Sequence, residues 1–218
     1  MKKKLALLLL TPLLFGCDEL DIVADERLFA EGFVTTEAGS PIGNIDVSIA
    51  EDSGILGQDV TDASGAFSFV SLKSSDPVMQ LRINHSTDSL LSRLTYIAFD
   101  TSIEDYSVNE STLFPVGYLT INLTKSTSSA PNLLYSVAYK ETFCERLLSG
   151  INPDQPLRCY DSVSLSDELG DNGNTVTFNL RSLRTSPVVF RYRIGEDGEE
   201  NTVEIPLNHS NTTYEFEY

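Results

Sequence analysis

Few residues in this chain could do acid–base or metal chemistry. The 218 residues include two histidines, His85 and His209, and no tryptophan. Each histidine sits in a turn-like setting, Asn84-His85-Ser86 and Asn208-His209-Ser210. No HExxH, HxxE or CxxC spacing occurs, so the local ligand patterns of the common zinc sites are missing. A nucleophile elbow (GxSxG) and a phosphate-cradling loop are missing too. A Ser/His/Asp triad would have to be assembled from distant segments. Oxygen ligands crowd two stretches, Asp167, Glu168, Asp171, Asn172 and Asn174 in one and Glu196, Asp197, Glu199 and Glu200 in the other. Calcium takes six to eight oxygens, and neither stretch has EF-hand spacing. Both read as charged turns. The sequence therefore assigns no catalytic residue, no metal site and no cofactor.

The three cysteines do different work. Lys2, Lys3 and Lys4 precede an apolar run, Leu5 to Phe15. A bilayer span needs about 20 apolar residues, so this shorter run reads as a signal peptide over residues 1–16. Leu14-Phe15-Gly16-Cys17 resembles a bacterial lipobox, whose cysteine is lipidated on sulfur and becomes the mature N-terminus. The resemblance implies membrane attachment through lipid on Cys17. Residues 17–27 then read as an acidic tether. Asp18-Glu19 resembles the surface-export signal of Bacteroidota lipoproteins. In enteric bacteria, Asp after the cysteine resembles an inner-membrane retention signal instead. The expected location is the outer membrane at the cell surface, with the periplasmic face as the alternative. Cys144 and Cys159 remain as a pair in an envelope protein, and a disulfide between them is expected. Closing a loop of that size stabilises by about 3 kcal/mol in the chain-entropy model. The alternative, a catalytic or metal-binding thiol, has no histidine nearby in sequence.

The formal net charge is −17, and removing Met1–Gly16 with its three lysines takes it to −20. A chain this acidic repels phosphate backbones, so nucleic acid is not an expected partner.

Turn residues and alternation organise the rest. Ile45, Val47 and Ile49 alternate with polar residues, as do Phe67 and Phe69. Gly39-Ser40-Pro41 and Thr61-Asp62-Ala63-Ser64-Gly65 supply the turns between them. Strands are expected at 28–36, 44–51, 55–61, 66–71, 78–85, 92–99 and 117–124, with Met79, Leu81 and Ile83 on one inward face and Leu119, Ile121 and Leu123 on another. Residues 100–116 read as a long acidic loop crossing between strands.

Gly32-Phe33-Val34, Gly39-Ser40-Pro41-Ile42, Val47-Ser48-Ile49 and Thr61–Phe69 together resemble the carboxypeptidase regulatory-like domain, a transthyretin-like (prealbumin-like) sandwich. The resemblance implies a seven-stranded β-sandwich over residues 28–125. In that family the domain is usually a non-catalytic module, so the likeness implies no carboxypeptidase activity.

Ser126 to Pro131 reads as a small-residue linker. A second β-sandwich is expected over residues 131–218, with strands at 132–140, 157–164, 174–181, 187–194, 201–207 and 212–218. Thr142 with Glu145, and Phe143 with Leu147, suggest a short helix ended by Gly150. Tyr214, Phe216 and Tyr218 share one face of the last strand and read as core. Asn84, Asn109, Asn122, Asn208 and Asn211 head chance glycosylation acceptor patterns, and Ser89 and Ser162 sit in short motifs resembling Bacteroidota O-glycosylation sites.

The whole is read as all-β, two β-sandwich domains in tandem. The expected function is a non-enzymatic, lipid-anchored binding or accessory module for a protein or glycan partner. The alternatives are a purely structural envelope lipoprotein and a hydrolase with a site in the second domain.

Overall fold

A computed structural model describes residues 22–100, 102–127, 129–148, 155–170 and 174–218. The expected signal peptide, Cys17, Gly150, Asp171 and Asn172 lie outside these residues. Every regular element among the described residues is a β-strand. In chain order they are β1 (Ile22–Thr36), β2 (Asp46–Glu51), β3 (Gly54–Val60), β4 (Ala66–Ser74), β5 (Met79–Ile83), β6 (Arg93–Ala98), β7 (Asp105–Leu113) and β8 (Val116–Thr124). Then come β9 (Leu133–Lys140), β10 (Phe143–Leu147), β11 (Pro156–Cys159), β12 (Ser162–Leu169), β13 (Thr175–Leu183), β14 (Val188–Ile194), β15 (Asn201–Ile205) and β16 (Asn211–Glu217).

These strands form two sandwiches. The first packs the sheet β4-β1-β7 against the sheet β11-β10-β6-β5-β2-β3. The second packs β12-β9-β14-β15 against β13-β8-β16. The alternation read from sequence sets both cores. Val47, Ile49, Met79, Leu81 and Ile83 are buried in the first, and Leu119, Ile121 and Leu123 in the second. Fully burying each such side chain stabilises by roughly 1.5–3 kcal/mol.

The turn motif behaves as its residues require. Gly39 and Gly65 take φ of 74° and 77°, the left-handed region that side chains disfavour. Asp62 Oδ1 accepts hydrogen bonds from the Ser64 amide (2.8 Å), the Ala66 amide (3.0 Å) and the Ser64 hydroxyl (2.7 Å). The Ser64 hydroxyl, followed by the Ala66 amide, holds the Asp62 carboxyl below the usual aspartate range. Thr61 Oγ1 donates to the Ile42 carbonyl and accepts from the Ile45 amide, both at 2.9 Å, which closes the strand entrance.

Several expectations are corrected. Residues 105–113 are strand, not loop: β7 runs parallel to β1 and buries Tyr106, Val108 and Leu113. Residues 143–147 are strand, not helix: β10 runs parallel to β6 from Phe143↔Arg93 to Leu147↔Ile97. Residues 22–27 of the expected tether belong to β1. The strand at 117–124, expected to end the first sandwich, is the central strand of a sheet in the second, and β10 and β11 return to the first. Ser126–Pro131 therefore joins β8 to β9 inside the second sandwich rather than separating two domains. Among the described residues the first sandwich has nine strands and the second seven.

The chain thus crosses the junction three times, from β7 to β8, β9 to β10 and β11 to β12. Two crossings form one ribbon. Lys140 pairs with Ser162, the Glu141 amide donates to the Asp161 carbonyl at 2.9 Å, and Cys144 faces Cys159. Parallel pairing of β1 with β7 puts Thr36 beside Leu113 at the junction, so Ile22 lies at the end of the first sandwich away from the second.

Candidate functional site

The two histidines do not converge. His85 lies two residues past the end of β5 and borders a groove of about 590 Å³ with Ser48, Asp46 and Asp59. Its Nε2 lies 3.0 Å from Thr95 Oγ1. Burial, then the charges of Arg82 and Arg93, lower its pKa to about 4. Asp59 Oδ2 is engaged in accepting the Ser68 amide at 3.1 Å. His209 lies on the second sandwich in an exposed turn. Among the described residues, no three His, Cys, Asp or Glu side chains gather where a metal could sit. Glu168, one of the acidic-stretch residues, accepts the Asn132 side-chain amide at 2.6 Å.

Cys144 and Cys159 are disulfide-bonded, directly opposite each other on β10 and β11. The bridge sits beside the junction. Tyr160, the next residue, takes φ of 54° and stacks edge-on against Phe114 at 5.1 Å. Its hydroxyl lies 3.1 Å from Ser92 Oγ, which accepts the Phe114 amide at 2.9 Å. Burial raises the Tyr160 pKa. Across the same junction Arg181 Nη2 donates to the Ser89 carbonyl (2.6 Å) and the Leu91 carbonyl (3.0 Å). Arg158 reaches Glu141 with two hydrogen bonds, 3.1 Å from Nε and 2.6 Å from Nη2. These groups do structural work on the ribbon.

The surface that stands out is the outer face of the small sheet in the first sandwich. Along β1, Leu28, Ala30, Gly32 and Val34 point inward and are buried, so Phe29, Glu31 and Phe33 point out. Phe29 pairs with Val70 on β4 and Asp105 on β7, Glu31 with Ser68 and Ser107, and Phe33 with Ala66. Phe29 is 36% exposed, Phe33 51% and Val70 63%. Two shallow grooves, about 420 and 280 Å³, run over this face. Glu26, Glu31, Glu104 and Asp105 edge them, and Lys73 is paired with Glu26 at 2.7 Å. The water-facing side of a sheet commonly alternates polar residues with the buried apolar ones, and here three apolar residues stand together on it. Sequence reading placed Phe29 and Phe33 on a strand at 28–36, with Phe33 in the Gly32-Phe33-Val34 stretch of the family resemblance, and passed over this face. The signal was there: Phe29 and Phe33 occupy the same alternation phase as Glu31, opposite the buried residues.

No protein-family model matches the chain, and no curated protein does. Among solved structures it is similar to the Bacillus anthracis TIE protein, at 10% identity and TM-score 0.33, covering 88% of this chain and 34% of that one. It is also similar to a streptococcal ancillary pilin, at 11% identity and TM-score 0.28, covering 89% and 63%. A minor pilin of Streptococcus agalactiae matches at 12% identity and TM-score 0.27, covering 88% and 94%. The chain spans about a third of the first of these proteins and under two thirds of the second. At these values the likeness carries no inference about function.

Proposed function

We propose that this chain is a non-enzymatic, lipid-anchored envelope protein that binds a protein partner through the outer face of β4-β1-β7. The observation that carries the reading is the Phe29/Phe33/Val70 stripe, left in water on a face whose charged rim sets Glu26, Glu31, Glu104 and Asp105 against Arg27 and Lys73. An apolar centre with a charged rim is the anatomy of a protein interface. The acidic rim selects a partner surface with an apolar centre and Lys or Arg around it, and binding should weaken with salt. Attachment through lipid on Cys17 rests on the lipobox. Outer-membrane surface location rests on Asp18-Glu19, and protease shaving of intact cells tests it. The first sandwich reads as a carboxypeptidase regulatory-like module because Gly39, Asp62 and Gly65 adopt the turn geometry the motif needs.

The test places a photo-crosslinking residue at Phe33 in living cells, with Thr202 on the second sandwich as the comparison site. A discrete protein adduct from position 33, lost with Phe29→Asp, is expected. Phe29 is 36% exposed and faces Asp105 across the sheet, so the change also destabilises the strand pair, and the loss of adduct counts only where far-UV circular dichroism shows the variant folded. An adduct removed by glycan-cleaving enzymes would replace the protein reading with a glycan one. No adduct, or equal adducts from both positions, would leave a purely structural lipoprotein.

A further inference from the structure

The second sandwich is one strand short on one side. Val137 and Leu165 are cross-strand partners on β9 and β12, so their side chains share the core-facing side. Val137 is 0% exposed, yet Leu165 is 47% exposed. The cause lies in the facing sheet. There β13 is the edge strand and sits over β9, with Phe178 stacked on Tyr135 at 5.9 Å. β12 projects beyond it: on its core-facing phase Leu165 and Asp167 are exposed and Val163 is half-buried, while Leu169 at its end is buried. The outer edge of β13 is unpaired among the described residues.

We propose that this position, beside β13 and over β12, accepts an extended segment of a partner protein as an added strand. The site is separate from the sheet face of the first sandwich and does not depend on it. Main-chain groups of the segment would pair with the open edge of β13, and its alternate side chains would cover β12. The inward positions it meets are Val163, Leu165 and Asp167, so the fitting segment reads apolar, apolar, basic at every second residue. Charge supports that choice. β12 carries no Lys or Arg, and Asp167, exposed on the core-facing phase, is the charge an added strand would meet there, since Asp161 is paired with Arg158 at 3.7 Å and Glu168 lies on the other face. The one cation of β13, Arg181, is turned to the Ser89 and Leu91 carbonyls at the junction. Asp167 also acts on its surroundings, its charge adding to burial in raising the pKa of Tyr135.

The probes are two synthetic peptides, Thr-Val-Thr-Leu-Thr-Lys-Thr and its reverse, titrated against the full chain. One of them is expected to bind saturably and slow hydrogen exchange along β13. Leu165→Asp, a change at an exposed position, should weaken that binding at least tenfold. Asp167→Lys should weaken it similarly and favour a peptide with Glu in place of Lys. Failure of both peptides to bind, or binding indifferent to Leu165→Asp, would overturn the proposal. Leu165-dependent dimerisation of the chain without peptide would also overturn it, since the occupant would then be a second copy.

Discussion

The first sandwich is closed by aliphatic side chains, the second by rings. Leu81, Ile83, Leu94 and Met79 fill the first around Tyr96 and Tyr106, all buried. The second is built on Phe190, whose ring meets Tyr192 and Phe216 at 5.4 Å, Tyr214 at 5.8 Å and Tyr135 at 6.3 Å. Tyr139, Phe178, Tyr192, Tyr214, Phe216 and Tyr218 stay partly buried around it. Large rings let a smaller sandwich cover its core with fewer strands, at the cost of leaving ring edges in water. The chain treats the two differently as well. It returns to the first sandwich with the disulfide-bonded hairpin β10–β11, and among the described residues no strand pairs with the outer edge of β13.

The sharpest way to break this comparison is to empty each core. Phe190→Ala should cost about 3–5 kcal/mol, since one ring holds four others. That is a large share of a typical domain's 5–15 kcal/mol. Leu81→Ala in the first sandwich should cost about 2–5 kcal/mol. Urea unfolding of the full chain, read by tyrosine fluorescence and far-UV circular dichroism together, is expected to give one transition shifted by either change. Three strand crossings and the junction hydrogen bonds couple the sandwiches. Two separate transitions, each sensitive to one substitution, would show that they fold independently.

Next in size is the hairpin. Cys144→Ala with Cys159→Ala removes a bridge between residues 15 apart, worth about 3 kcal/mol by loop entropy. The loss should extend beyond the first sandwich, because Tyr160 sits on Phe114 at the junction. Hydrogen exchange at Ser92 and Phe114 should quicken along with that of β10. Quickening confined to β10 and β11 would make the bridge a local staple.

The turn motif of the first sandwich offers a smaller, internally controlled test. Gly65 and Gly39 have nearly the same φ, but a Cβ at Gly65 would run into the Val34 carbonyl, whereas at Gly39 nothing lies within 4 Å. Left-handed backbone costs a side chain about 1–2 kcal/mol. Gly39→Ala should therefore lower stability by about 1 kcal/mol, and Gly65→Ala by about 2 kcal/mol or more. Equal losses would mean that conformation alone matters at both turns.

Strands were legible where alternation ran unbroken between turn residues, and Met79, Leu81 and Ile83 marked their face from sequence alone. They were illegible where one residue shifts the phase. In β7, Tyr106 and Val108 alternate, then a register shift opposite Gly32/Val34 moves the buried phase to Ser111 and Leu113. Simple alternation fails there, and the segment reads as loop. In β10, Phe143 and Leu147 fit a helical face and a strand face equally well. Pairing with β6, some 50 residues earlier, decides the matter. The boundary was misplaced because Ser126–Pro131 looks like a linker yet is a strand connection. The real crossings, Phe114-Pro115, Glu141-Thr142 and Tyr160-Asp161, carry ordinary residues whose role comes from partners across the junction. The cysteine pair was legible by elimination. The Phe29/Phe33/Val70 face was not, because its meaning depends on β4 and β7 lying alongside β1.

The smallest predicted effect separates the sandwiches by acid. His85 belongs to the first, and its folded pKa of about 4 lies below the ordinary 6.5. The unfolded chain therefore binds the His85 proton at a pH where the folded chain does not. Stability from this group is full above pH 6.5, falls as pH drops toward 4, and changes no further below that. Arg82 and Arg93 maintain the difference, and Asp46 and Asp59 border the same groove without bonding the ring. The ring is open enough to water that screening should reduce the effect to about 1 kcal/mol. His85→Gln should keep the Thr95 contact and remove the proton, so the wild-type and variant melting temperatures should converge toward pH 7 and separate toward pH 4.5, with the variant the more stable. Parallel curves would mean that His85 takes its proton in the fold without cost, and that the two arginines lie too far into solvent to be felt.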